Sequence, residues 1–326
     1  CIFFLASFSL LAPVFANVIY VDDNATTGGD GASWASAHKY LQDALAVAEY
    51  GDEIWVAEGT YKPDQGAGKT LGDREQWFIL VNGVRYYGGF LGNEITRVPM
   101  GDANKTILSG EIVASTSLRT RRVLYGENLD GNTTIDGFQI TKGNADANYA
   151  NGNGAGIWLK NSTPLITNCL FFKNYAKHDG GAIYNEASSP TINNCQFLDN
   201  ASSSGGSIYN LHSSSIIQGC FFDKGYARWG GAICNISSSV RLESCTFLEH
   251  TMPTQGAARY GSAIYDFNST STSILECYFK DNKGHRGTIY INSSDVLVAK
   301  CKFIGNNMKY GGGIYNFDSS PTIYNC

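Results

Sequence analysis

The chain is short of charge. Only 16% of its 326 residues are charged and the net charge is −5. That is too little charge for a disordered chain, and the wrong sign for general nucleic-acid binding, which rests on a basic excess. Methionine (3), histidine (5) and proline (7) are all scarce. Beyond Ala16 no apolar stretch approaches the ~20 residues that a membrane-spanning helix needs. Long segments with a 3.6-residue apolar period are also missing, which sets aside the helical repeat architectures. One segment alone reads as a helix, Ser36 to Tyr50. There Tyr40, Leu41, Ala44, Leu45 and Ala48 form one stripe and Gly51 is a stop signal.

What is abundant is glycine (37), tyrosine (19) and Ser/Asn-rich runs, a composition for many short strands joined by tight turns. The first sixteen residues, CIFFLASFSLLAPVFA, are apolar and end in small residues before Asn17. They read as the hydrophobic part and cleavage site of a partial signal peptide spanning 1–16, so an extracellular or cell-surface protein is expected.

Nine cysteines in an exported chain would suggest disulfides, yet their spacing is that of a repeat. Cys169, Cys195, Cys220, Cys245, Cys277, Cys301 and Cys326 are separated by 26, 25, 25, 32, 24 and 25 residues. Each of the first six is followed two residues on by phenylalanine: Phe171, Phe197, Phe222, Phe247, Phe279 and Phe303. Asn174, Asn200, Asn282 and Asn306 recur three residues later, with Gly225 and His250 as exceptions. A Gly-rich step then leads to an isoleucine column (Ile157, Ile183, Ile208, Ile233, Ile264, Ile289, Ile314), and the one long insertion, Met252 to Tyr260, falls between Phe and Gly. A solenoid tolerates length changes in this way, in one turn while the core keeps register. Three strands and three turns in about 25 residues make one coil of a β-helix. The expected fold is therefore all-β, a right-handed parallel β-helix with a short N-terminal capping helix. Cys and Phe, two apart on one strand, are expected to share its inner face, the thiols acting as small buried side chains rather than bridges or ligands. Asn185, Asn210, Asn235 and Asn316 are expected to form an amide ladder.

Upstream the pattern loosens. Ile135 to Ile140 resembles a rung in which Phe138 replaces Cys, and Glu53–Tyr61, Trp77–Phe90 and Thr106–Ile112 read as irregular first coils. The expected organisation is a cap and irregular coils over 17–132, then regular repeats over 133–326, ending within a repeat and so continuing in the natural chain.

The pairing of Gly180-Gly181-Ala182-Ile183 with Phe171-Phe172-Lys173-Asn174, and of Gly230-Gly231-Ala232-Ile233 with a degenerate Phe222 partner, resembles the repeats of chlamydial-type polymorphic outer membrane proteins. Tyr20-Val21-Asp22, Gly51 to Ala57, Gly59-Thr60-Tyr61, Tyr87 to Phe90 and Ile107 to Glu111 look like bacterial secreted β-helix proteins of the pectin-lyase-like class. Such a resemblance implies the fold. It covers adhesins, surface proteins and polysaccharide-degrading enzymes alike.

A lyase on this scaffold needs gathered acids to hold Ca²⁺, and a glycosidase needs paired carboxylates. Neither pattern recurs down the coils. Asp179 and Glu186 flank one coil alone, Gly284-His285-Arg286 lacks accompanying aspartates, and Glu111, Asp130 and Asp136 are the remaining candidates for a cluster. No catalytic residue, metal or cofactor is expected. One surface column does repeat: His178, Ser203, Arg228, Arg259, His285 and Lys309, followed by Asp179, Ser204, Trp229, Tyr260, Arg286 and Tyr310. Stacked coils would gather Arg228, Trp229, Arg259, Tyr260, Lys309 and Tyr310 into a basic and aromatic strip suited to sugar rings and acidic glycans. The expectation is a secreted or surface stalk or adhesin-like protein meeting extracellular polysaccharide or a neighbouring cell surface, with no nucleic-acid partner. The alternatives are a polysaccharide lyase or glycoside hydrolase, and a purely structural surface component. An outer-membrane association would require a C-terminal anchor.

Overall fold

A computed structural model describes residues 16–96, 106–112, 115–253 and 259–326. The expected leader, save for Ala16, lies outside the described residues. From Val18 onward the chain winds as a right-handed parallel β-helix. Among the described residues three parallel sheets of eleven, nine and nine strands run along its axis. Each regular coil contributes one strand to each, as in Thr191–Asn193, Gln196–Leu198 and Ile208–Leu211. No helix among the described residues is long and apolar enough to cross a membrane.

Register follows the repeat. The isoleucines pair in sequence from Ile157 to Ile314, as do the phenylalanines from Phe171 to Phe303. The rings of Phe171, Phe197, Phe222, Phe247, Phe279 and Phe303 stack face to face, with centroids 4.6–4.9 Å apart. Phe171 to Phe279 are completely buried and Phe303, in the last turns, partly so. Fully burying each ring contributes roughly 1.5–3 kcal/mol, so this column dominates the core. One continuous apolar cluster extends from Ile19 to Cys301, and the first sheet runs unbroken from the irregular coils (Arg85–Phe90) through Thr134–Asp136 to Leu165–Thr167.

The cysteines lie inside the helix but not on the phenylalanine strand. Each occupies the bend just before it. The residue ahead (Asn168, Asn194, Ser244, Glu276, Lys300) has φ near +50° and turns the chain from the first sheet into the second. The thiols are nonetheless buried from Cys169 to Cys301, while Cys326 is exposed. Each of them bonds backbone carbonyls: Cys195 Sγ lies 3.2 Å from the Asn193 oxygen and 3.7 Å from the Ile166 oxygen of the preceding coil. All eight described cysteines are free. Thiol titration in denaturant without reductant should therefore recover all eight of these thiols, and recovery of only one or two would mean that the ladder is bridged.

Two polar ladders run along the inside of the coils. Asn185 donates to Asn210 at 2.8 Å, Asn210 to Asn235 at 2.9 Å, and Asn235 to the carboxylate of Asp266 at 3.0 Å. Asn316 stands apart from this ladder, because Ile291 interrupts the column and Asn316 bonds Ser319 instead. The second ladder is Asn174, Asn200, His250, Asn282 and Asn306. Its asparagines donate to a carbonyl of the preceding coil and accept that coil's backbone N–H, as Asn200 does toward Phe171 (2.9 Å) and Asn174 (3.0 Å). Gly225 has no side chain to offer, and His250 from the next coil fills the same role, its Nδ1 accepting the Gly225 N–H at 2.9 Å. The two exceptions in the repeat thus form one contact.

The Gly-rich step has two separate causes. Gly180 has a φ of +64°, and a Cβ on Gly181 would sit 2.2 Å from the Gly206 oxygen of the next coil. Backbone approach as close as this excludes any side chain.

The helix is shorter than its sequence pattern. It spans Leu41–Val47, after a 3₁₀ turn at Trp34–Ser36. His38 is extended because its backbone N–H and C=O bond Tyr20 and Asp22, both at 2.9 Å, and that strand-like pairing overrides the helical signal. Leu41 and Ala44 are buried, and Leu45 and Ala48 pack against the core. The helix contacts the strands Val18–Val21 and Phe78–Ile79 at the N-terminal end, covering rungs that an open β-helix would expose.

Candidate functional site

The turn from the second sheet to the third carries the repeating surface column. Its backbone is not loose. Asp179, Ser204, Trp229, Tyr260 and Arg286 pair through successive parallel bridges, and Arg286 pairs with Tyr310 between the short strands Lys283–Arg286 and Asn307–Tyr310. These six residues therefore stand one per coil along one edge, about 4.8 Å apart. Arg228, Arg259, His285 and Lys309 immediately precede them.

The structure gathers these groups unevenly. Trp229 is 38% exposed and Tyr310 45%, and Arg228 and Lys309 are exposed beside them. Tyr260 is half-buried, its ring 4.5 Å from that of Tyr290. The guanidinium of Arg259 is partly engaged, donating to the Pro253 carbonyl. Arg286 lies among three tyrosines, 5.4 Å from the Tyr260 ring, 5.6 Å from Tyr315 and 6.0 Å from Tyr310, where its charge is held against aromatic faces.

Sequence reasoning missed the ring stack packed behind this edge. Tyr184, Tyr209, Tyr265, Tyr290 and Tyr315 alternate with inward isoleucines and asparagines, so they lie on the outer face of the third sheet. Tyr184 stacks on Tyr209 at 5.4 Å, and Tyr265, Tyr290 and Tyr315 stack in series at 5.5 and 5.3 Å. Trp229 and Tyr260 both pack toward Tyr265. Period-two alternation against the inward isoleucines was the signal available for this face. At the front of the same face Arg122 is clamped between Trp77 (4.8 Å) and Trp158 (4.3 Å), and burial pushes its guanidinium down to about 10.

The acids read as a possible cluster are separately engaged. Glu111 pairs with Lys142 at 2.6 Å, Asp130 accepts from Tyr50 at 2.9 Å, and Asp136 accepts from Asn168 at 2.8 Å. Among the described residues no group of three or more His, Cys, Asp and Glu side chains could hold a metal ion. Asp179 is different: burial raises its carboxyl above the usual range, while a hydrogen bond with Ser204 opposes that shift.

A family model described as right handed beta helix region matches residues 201–326. The repeat of Chlamydia polymorphic membrane proteins matches residues 168–186, the coil that carries Phe171–Asn174 and Gly180–Ile183. No curated protein matches. Among solved structures the chain is similar to pectate lyase Pel9A, with 12% identity over 95% of this chain and 78% of that one and a TM-score of 0.54. It is also similar to a rhamnogalacturonan lyase, with 13% identity, coverage of 86% and 74% and a TM-score of 0.45. For the rice weevil pectin methyl esterase the identity is 10%, the coverage 97% and 91%, and the TM-score 0.42. The likeness to pectate lyase Pel9A is one of fold alone and transfers no residue roles.

Proposed function

We propose that this chain is an exported, surface-exposed β-helix that binds glycans along the edge running from Trp229 to Tyr310. The observation that carries this reading is the one-per-coil column of Trp229, Tyr260, Arg286 and Tyr310 with Arg228 and Lys309 exposed beside it. Aromatic faces pack on sugar rings and the cations attract acidic substituents. The match to a polymorphic membrane protein repeat supports a place at the cell surface.

Any one exposed charge contributes little, so recognition depends on several coils acting together. Binding to polygalacturonate or alginate should weaken as salt rises, since exposed charges are screened beyond ~8–10 Å at physiological ionic strength. Replacing Arg228 and Lys309 together by alanine should weaken binding several-fold at low salt and remove much of the salt dependence. Trp229→Ala should weaken it roughly two- to tenfold at both low and high salt, in line with the ~0.5–1.5 kcal/mol of an aromatic contact. A glycan panel at two salt concentrations, with the bound glycans inspected for cleavage, tests the reading. Absence of binding across the panel would overturn it, and cleavage would move the protein to the enzyme reading.

A further inference from the structure

The edge begins in a groove of a different character. Its open volume is about 680 Å³, within the range of small-ligand sites. Asn148 and Asn153 form one wall, in the long turn that includes the 3₁₀ segment Tyr149–Gly152. The floor is two coils deep, His178-Asp179 and then Ser203-Ser204, and Trp229 stands at the far end.

The floor is fixed by backbone bonds between coils. Ser203 and Ser204 donate to the His178 oxygen at 2.8 and 3.0 Å, and Gly205 donates to the Trp229 oxygen at 2.8 Å. The wall is fastened to the floor, since Asp179 donates its N–H to Asn153 Oδ1 at 3.2 Å and Gly154 donates to the Asp179 oxygen at 3.0 Å. Gly152 is required here, because a Cβ at that position would sit 2.5 Å from His178 Cδ2.

Two features of the lining select a ligand. The first is hydrogen bonding: on the half-buried His178 side chain the Nε2 atom has no partner, and the partly buried Asp179 carboxyl has Ser204 as its side-chain contact. Buried polar atoms left in this state favour a ligand that brings hydroxyl groups. The second is charge. No lysine or arginine lines the groove, and the nearby Lys177 ammonium is turned to Asn148 Oδ1 at 2.6 Å. A sugar acid would meet the Asp179 carboxyl without a compensating cation, whereas an uncharged sugar would donate hydroxyls to it.

We propose that this groove is a subsite for the end of an uncharged oligosaccharide, its ring laid on Trp229 and its hydroxyls bonded to Asp179 and His178. This deepens the glycan-binding reading and rests on it, dividing the edge into a neutral-sugar groove at its start and a cationic strip beyond. Asn148 and Asn153 line the groove on the side away from Trp229, and the proposed chain end abuts them.

The test is calorimetric titration of the full chain with cellotetraose, xylotetraose and mannotetraose, beside polygalacturonate, at low and high salt. One or more of the neutral tetrasaccharides should bind with affinity unchanged by salt. That binding should fall at least tenfold in Asp179→Ala and in Trp229→Ala. Asn148→Trp, a change on the exposed wall that leaves the core untouched, should block it while polygalacturonate binding persists. If no neutral tetrasaccharide binds while polygalacturonate does, the groove proposal falls and the strip stands. Neutral binding unaffected by Asn148→Trp and Asp179→Ala would also overturn it. If neither class binds, the glycan reading itself fails.

Discussion

Replacing Phe197 by alanine is expected to destabilise the protein by about 3–5 kcal/mol, the range for a large buried ring cut back to a methyl group. The ring is fully buried and lies 4.8 Å from Phe171 and 4.6 Å from Phe222. Collapse into the gap is opposed from both sides. The strand backbone is paired to the coils before and after it, and the rings above and below are themselves held in stacks. The cavity therefore persists, which is the condition for the upper part of the range. Phe172, one residue along the neighbouring strand, is the control: its side chain faces outward and is half-buried. Phe172→Ala should cost much less, within about 1.5 kcal/mol for a partly exposed ring. Urea unfolding of the two variants checks this, and equal losses would show that the inward face is misassigned. Because each coil of a solenoid contacts only its neighbours, hydrogen exchange in Phe197→Ala should rise first in the coils around it.

Acidification is expected to unfold the middle of the solenoid through His250. Burial pushes this imidazole down to about 3. With Nδ1 occupied in accepting the Gly225 N–H, a second ring proton has no place without breaking that bond. The folded state thus refuses a proton that the unfolded chain takes up near pH 6.5. The contribution of His250 is fully present above about pH 6.5 and is lost as pH falls from there toward 3, by on the order of 4 kcal/mol at the lower limit. Asparagine serves the ladder at Asn200 and Asn282 without titrating, so His250→Asn should flatten this part of the stability profile. Asp266 acts in the opposite sense. Burial raises its pKa, its hydrogen bonds from Asn235 and Thr272 notwithstanding, so its contribution is lost as pH rises. Chemical denaturation of wild type and His250→Asn between pH 4 and 7 separates the two. An identical acid slope in both proteins would place the sensitivity elsewhere.

The repeating cysteine, phenylalanine and isoleucine positions were sufficient to determine the architecture, because in a solenoid a sequence period is also a spatial period. Residues one repeat apart must stack once the coil length is known, so the core column, the amide ladder through Asn185, Asn210 and Asn235, and the order of the basic–aromatic edge could be read before any coordinates. Other features were decided only by neighbours distant in sequence. Lys173, Ala187 and Glu249 adopt φ near +50°, a conformation their side chains disfavour by about 1–2 kcal/mol. Backbone bonds to the next coil, such as Ala187 N–H to the Leu211 oxygen at 2.9 Å, hold them there. The helix lost its first turn in the same way, to the pairing of His38 with the first strand. The pairing of Gly225 with His250 looked like two failures of the pattern until adjacent coils brought them together. The groove beside Trp229 depends on one long turn standing over two short ones, and the orphaned His178 nitrogen and the partly buried Asp179 depend on what that turn covers. Periodicity places residues in columns, but burial, left-handed corners and unmet hydrogen bonds are set by packing between coils.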